Sequence, residues 1–272
     1  MPEPSGRHRA VHAPEPADPD ARGRVEEVLA DGALGMVFQP VVDLATGATV
    51  GHEALARFAD GRPPNMWFDD AERAGLGVEL ELLAIGTALR VLPDDAPGYL
   101  GANVSAATLA SPRLRALLQD VDDGRRRLLL ELTEQHAVAE YELTRVGIRE
   151  MEQAGVLVAL DELGSGSASV RQLVDLNPDV VKLDRSLVSH VDEDPVRQAM
   201  TAAYARLADG MGWTAMAVGI ERHEEIATCH AMGVTYGQGY LLGRPAPLAD
   251  PAHSPAAAWI ALSEEIWQAS QD

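Results

Sequence analysis

Eight short apolar runs punctuate the chain, most of them separated by stretches of helix-like composition, and this alternation constrains the fold more than any other feature. The runs are MVFQPVVDL (36–44), TVGHEAL (49–55), YLGANVS (99–105), LLLELTE (128–134), VLVALDE (156–162), VVKLD (180–184), TAMAVG (214–219) and VTYGQGY (234–240). Between them, 68–92, 106–119, 136–154, 194–211 and 222–232 have the composition and length of helices. Near-continuous apolar runs read as strands buried on both faces, the habit of parallel sheets covered by helices. ATGA, a short Gly-containing turn, joins the first two runs and predicts an antiparallel hairpin; the rest read as βα units. The economical α/β fold is therefore a TIM-like (β/α)8 barrel with one antiparallel strand. We expect a disordered tail over 1–22, with a helix pattern beginning near Ala21, the barrel over 23–250, and a C-terminal tail carrying a short helix over 251–272.

A length of 272 residues suits a single barrel. Twenty-two basic against 42 acidic residues give a net charge of −20, which argues against binding long nucleic acid. It leaves room for a small phosphorylated ligand, because clustered carboxylates hold hard divalent cations that in turn receive phosphate oxygens. No run approaches the ~20 apolar residues of a membrane span, and the first residues lack the apolar core of a secretory signal, so the expected compartment is the cytoplasm. A single cysteine, Cys229, excludes a disulfide framework and a multi-cysteine zinc site. Lys182 is the one lysine in the chain, against 21 arginines. Codon bias explains the arginines; the surviving lysine suggests a place where a compact ammonium is needed and a guanidinium would not fit.

In a parallel barrel the C-terminal strand ends and the loops after them build the active site. That rule selects Glu53, Asn103, Glu131, Asp161, Lys182, Glu221 and Gln238. One polar residue at a strand end is usually a turn or a cap; seven along one rim are a site. Glu53, Asn103, Glu131 and Asp161 form an all-oxygen set from four strands, suited to Mg²⁺, Mn²⁺ or Ca²⁺ rather than zinc.

GHEALAR (51–57) resembles the signature of EAL domains, bacterial phosphodiesterases that cut cyclic-di-GMP to linear pGpG. FQP (38–40), EALAR (53–57), NVS (103–105), ELTE (131–134), DELGSG (161–166), KLD (182–184), GIE (219–221) and QGY (238–240) match in order and spacing, from about Met36 to Pro247. The resemblance implies a barrel with one antiparallel strand and two-metal phosphodiester hydrolysis. It assigns Glu53, Asn103, Glu131 and Asp161 to a first divalent metal, Mg²⁺ or Mn²⁺. It places Lys182 and Glu221 with the catalytic groups, Lys182 at the lysine that contacts the attacking water. Gln39, Arg57 and Gln238 fall at positions lining the ligand site, and Glu134 at the glutamate that anchors the loop after the fifth strand, here 163–170.

Two departures fall on one element. The family motif Asp-Asp-Phe-Gly is here Asp161-Glu162-Leu163-Gly164, and Ala-Glu-Gly-Val-Glu is Ala217-Val218-Gly219-Ile220-Glu221. By the resemblance both changed positions serve the second metal. The first-metal set is intact, while the second retains Asp161 and Glu162 and loses a ligand at Val218. The loop also departs at Leu163 and Ser167, where the family has Phe and Tyr.

Other residues read as structural. His52 points to the face opposite Glu53 and is a packing or surface residue. His223 and His230 form a helix-surface pair. Asp194 caps a helix with Pro195 at its first position, and Arg125, Arg126 and Arg127 form a solvated turn. Three functions compete: a degenerate EAL domain that binds cyclic-di-GMP with hydrolysis lost or strongly reduced, an active phosphodiesterase making pGpG, and a protein-interaction module that has given up nucleotide. Cyclic-di-GMP is the expected ligand, with a homodimer and a protein partner left open, and neither membrane nor long nucleic acid is expected.

Overall fold

The computed structural model describes residues 20–92, 98–119, 127–165 and 169–248. Residues 1–19, the helix expected within 251–272, Ser167 and the Arg125–Arg126 pair lie outside the described residues. The chain runs α1 (Ala21–Asp31), β1 (Leu34–Asp43), β2 (Thr49–Phe58), α2 (Pro64–Arg73), α3 (Gly77–Val91), β3 (Tyr99–Asn103), α4 (Ala106–Leu109), α5 (Pro112–Gln119) and β4 (Arg127–Thr133). It continues through α6 (Glu134–Ala139), α7 (Tyr141–Ala154), β5 (Leu157–Leu163), α8 (Val170–Leu176), β6 (Val180–Leu183), α9 (Arg185–Val188), α10 (Pro195–Met211), β7 (Thr214–Val218), α11 (His223–Ala231) and β8 (Tyr236–Gln238).

The eight strands close a barrel in sequence order. β1 pairs antiparallel with both β2 and β8, and every other pairing is parallel, as the hairpin predicted. The β1–β2 turn is held by Asp43, whose Oδ1 accepts from the Ala45 and Thr46 amides at 3.0 and 2.8 Å. Gly47 supplies the left-handed step, φ 71°, that turns the chain back.

Helix boundaries differ from the sequence expectation in ways that local chemistry explains. The segment 68–92 is two helices, because Gly75 at φ 71° breaks the run. Pro112 starts a new helix inside 106–119, and the helix expected from 136 begins two residues earlier, where Thr133 caps it by accepting from the His136 amide. The expected helices omitted α8 and α9, both only a turn or two long. Asp194 does cap α10, accepting from the Val196 and Arg197 amides, with Pro195 at the first turn.

Strand alternation builds two layers inside the barrel. Val41, Leu129, Ala159, Val180 and Met216 pack together as an apolar plug. Two residues along each strand from that plug stand Gln39, Glu131, Asp161, Lys182 and Val218. β1 runs against the other strands, so its polar residue precedes its plug residue in sequence, whereas on the parallel strands it follows. Leu128, Leu130, Leu132, Val158, Leu160, Val181 and Leu183 face the helices on the other side of the wall in the main core. His52 also lies on that outer face; it is 8% exposed, a packing residue rather than a surface one.

Candidate active site

Lys182 Nζ is the centre of the polar layer. It contacts Glu131 Oε2 in a short ion pair, Asp161 Oδ2 at 2.8 Å and Glu53 Oε2 at 3.5 Å, with its side chain 1% exposed. Burial disfavours its charge, but Asp161, Glu131 and Glu53 outweigh that, and the ammonium stays protonated well above the ordinary lysine range. Burial raises Glu53 too; the Lys182 charge and the donors Gln238 and Asn103 bring it below the usual carboxylate range. Glu131 goes the other way, because complete burial beside Glu53 and Asp161 outweighs the pull of Lys182. The two partners of the short pair therefore point in opposite senses. We hold to the charged ammonium, which three carboxylates surround; where burial forces a proton onto the cluster, Glu131 takes it.

Two amides complete the layer. Asn103 donates through Nδ2 to Glu53 Oε1 at 2.9 Å. Gln238 donates through Nε2 to Glu53 Oε2 at 2.7 Å and to Gln39 Oε1 at 3.2 Å, and Gln39 donates to the Gly243 carbonyl at 3.0 Å. Glu131 Oε1 and Gln238 Oε1 are buried acceptors without a partner, an expensive condition unless a ligand completes them. Gly101 makes this packing possible, since a Cβ there would stand 2.4 Å from Glu131 Oε1.

The structure thus brings together Gln39, Glu53, Asn103, Glu131, Asp161, Lys182 and Gln238. Glu221, selected for the same rim, stands apart: its carboxylate pairs with Arg185 Nη2 at 2.9 Å and is 40% exposed. Glu162 lies within the irregularity of β5, between Leu160 and Leu163, in a left-handed conformation, φ 60°, and is exposed. Burial, Asp161 and Asp184 raise its carboxyl above the usual range. Val218 lies against the apolar plug, half-buried. Arg57 donates to the Ala56 carbonyl at 2.8 Å and lines a cavity of about 260 Å³ with Leu55, Asn65, Phe68 and Asn103. Glu134 accepts from the Gly164 amide at 3.0 Å, tying the start of the loop after β5 to α6.

Two supporting carboxylates escaped the sequence reading. Glu225, 1% exposed, accepts from the amides of Glu221, Arg222 and His190 at 2.9, 3.1 and 2.8 Å, and so fixes the turn after β7. Glu81 accepts from the Ser105 amide at 2.8 Å and fixes the turn after Asn103. Their sequence signal, an acidic residue on a helix, is indistinguishable from a solvated one.

Glu53, Asn103, Glu131 and Asp161 suit a hard divalent cation by donor type, and the unpartnered Glu131 Oε1 is an oxygen such an ion would complete. Among the described residues, however, no three His, Cys, Asp or Glu side chains are arranged as ligands of one ion; the Lys182 ammonium lies where the three carboxylates meet.

A mixed eight-stranded barrel with a carboxylate, amide and lysine cluster at its strand ends defines an α/β-barrel protein with a polar site at the barrel mouth. The chain matches the EAL domain family over residues 22–245 and belongs to it. It is 30% identical over 242 residues to "Probable cyclic di-GMP phosphodiesterase PdeB" of Escherichia coli K12, covering 84% of this chain and 45% of the relative. The chain thus spans less than half the length of that relative. Among solved structures it resembles the PaMucR phosphodiesterase in complex with c-di-GMP, with TM-score 0.73 and 25% identity over 84% of this chain and 98% of the other. It also resembles Klebsiella pneumoniae BlrP1 in a manganese/cy-diGMP complex, with TM-score 0.71 and 26% identity over 79% and 56%. No helix among the described residues is long and apolar enough to cross a membrane.

Proposed function

We propose that this EAL domain binds cyclic-di-GMP at the barrel mouth together with one divalent cation, Mg²⁺ or Mn²⁺, and that its hydrolysis is lost or strongly reduced. The observation that carries the reading is Val218. It stands on the inward face of β7, two residues beyond Met216 of the plug, and offers no ligand atom where the family resemblance expects a carboxylate.

Each residue has a task in this reading. Glu53, Asn103, Glu131 and Asp161 hold the cation, with Glu162 at its edge. Arg57 meets a phosphate oxygen through its planar fork, and the apolar cavity beside it takes part of the ligand. Gln39 and Gln238 present amide groups from the hairpin side. Lys182 faces the place of the attacking water and Glu221 stands at the rim. A bound dication would polarise the phosphate and generate hydroxide. Losing one of two such ions costs several kcal/mol of transition-state stabilisation, about two to three orders of magnitude in rate.

A second reading, a working phosphodiesterase, is supported by the complete Glu53–Asn103–Glu131–Asp161–Lys182 cluster. One experiment separates the two: calorimetric titration of cyclic-di-GMP in Mg²⁺ or Mn²⁺, followed by chromatography of the recovered nucleotide. Binding with intact nucleotide is the expected result. Conversion to pGpG establishes the second reading, and no binding overturns both in favour of a protein-interaction role.

A further inference from the structure

The carboxylate oxygens of the cluster are almost all claimed. Glu53 Oε1 accepts from Asn103 and Oε2 from Gln238. Asp161 Oδ1 accepts from the Glu162 amide at 2.6 Å and Oδ2 meets Lys182 at 2.8 Å. Glu131 Oε2 meets Lys182, and only Glu131 Oε1 is without a partner. A cation entering this cluster finds one carboxylate oxygen without a contact, the others already sharing lone pairs with donors. A carboxylate oxygen can keep one donor while it meets an ion, but the donor shared by all three carboxylates, the Lys182 ammonium, stands where their oxygens converge. An ammonium and a dication on the same oxygens repel each other strongly in so buried a place.

We propose that Lys182 is a built-in counter-cation that competes with the divalent ion for Glu53, Glu131 and Asp161. It keeps the three carboxylates assembled when no metal is bound, and its displacement sets the cost of loading the ion. The inference deepens the proposed metal reading and rests on the same cluster, but it concerns the chain's own ammonium. It also accounts for the survival of one lysine among 21 arginines. An arginine's wide, planar fork would not fit among three converging carboxylates lined by Gly101 and the apolar plug, whereas a compact ammonium does.

The test compares wild type with Lys182→Met, which keeps the chain length and removes the charge, by thermal melting in EDTA and by calorimetric titration of Mn²⁺ alone. In EDTA the variant melts roughly 10 °C lower, because two buried carboxylates and the partly buried Asp161 have lost their partner. Mn²⁺ then binds the variant at least about tenfold more tightly than wild type and raises its melting temperature more. Equal or weaker Mn²⁺ binding by the variant overturns the proposal while leaving the one-metal reading of the wild type standing. Binding by the variant alone supports the proposal and removes the one-metal reading. Binding by neither overturns both. Should Lys182→Met fail to fold in EDTA, refolding in Mn²⁺ decides: recovery supports the exchange of one cation for the other, and failure in both media overturns it.

Discussion

Gln238 Nε2 donates to Glu53 Oε2 at 2.7 Å and so joins two residues 185 positions apart in the chain. The bond spans β8, β1 and β2, the stretch where the antiparallel strand closes the barrel. Because Gln238 also donates to Gln39, the side chains of all three strands are registered by one amide. The mouth of the site therefore has a fixed wall at β8, β1 and β2, whereas Glu162 of β5 and Glu221 after β7 stand exposed.

Arg57→Ala should weaken cyclic-di-GMP binding by about tenfold or more, the value of one charge-assisted contact to phosphate. Among the described residues its hydrogen bond goes to the neighbouring Ala56 carbonyl, which holds nothing distant. Calorimetry should show the loss with an unchanged melting temperature. Unchanged affinity removes Arg57 from the site.

Val218→Glu combined with Glu162→Asp should raise pGpG formation by about a hundredfold or more if a second dication is the missing part. Quantitative chromatography of nucleotide under excess metal reads this directly. No gain in rate would place the defect in the segment after Leu163 instead.

Two glycine substitutions should separate site from scaffold. Gly101→Ala sets a Cβ 2.4 Å from Glu131 Oε1, the end of a side chain that can be pushed aside, so ligand binding suffers more than stability. Gly98→Ala sets a Cβ 1.7 Å from the Val50 carbonyl, a backbone atom, at φ 75°. It should cost roughly 3 kcal/mol or more in urea unfolding. Equal stability losses for the two would contradict this division.

His52 gives a pH dependence of known sign. Burial lowers its folded pKa below the ordinary 6.5, and its Nδ1 has no partner. The unfolded chain therefore binds the proton more readily, and stability falls as pH drops below 6.5 towards the folded value. His52→Phe should flatten that part of the stability–pH curve, measured by denaturant titration across pH 4.5–7.5; an unchanged slope would sink the assignment.

Cys229 is buried and its thiol is pushed up to about 12, first by burial and then by Glu225. Native protein should resist iodoacetamide at pH 8, whereas protein in urea should be labelled. Rapid labelling of the native form would mean that α11 opens.

The sequence carried the barrel because its signal is one-dimensional. Leu129 and Glu131, Ala159 and Asp161, Val180 and Lys182 each show an apolar residue two places before a polar one, the period of a strand with one face inside a barrel. The hairpin was legible from a short turn, and Asp194 from the proline beside it. Helix breaks at Gly75 and Glu140 were missed because composition continues smoothly across them, while a left-handed or kinked residue acts on geometry alone.

The sequence by itself determined which strand ends carry polar residues and that position 218 is a valine, without a ligand atom. Only the tertiary structure decided how those groups share their contacts. Lys182 meets three carboxylates brought from strands β2, β4 and β5, Glu221 turns to Arg185 instead of the cluster, and Glu225 holds the turn beneath it. Strand periodicity is a local property written along the chain. The partner of a buried charge depends on barrel closure and on the desolvation that closure imposes, which no stretch of sequence contains.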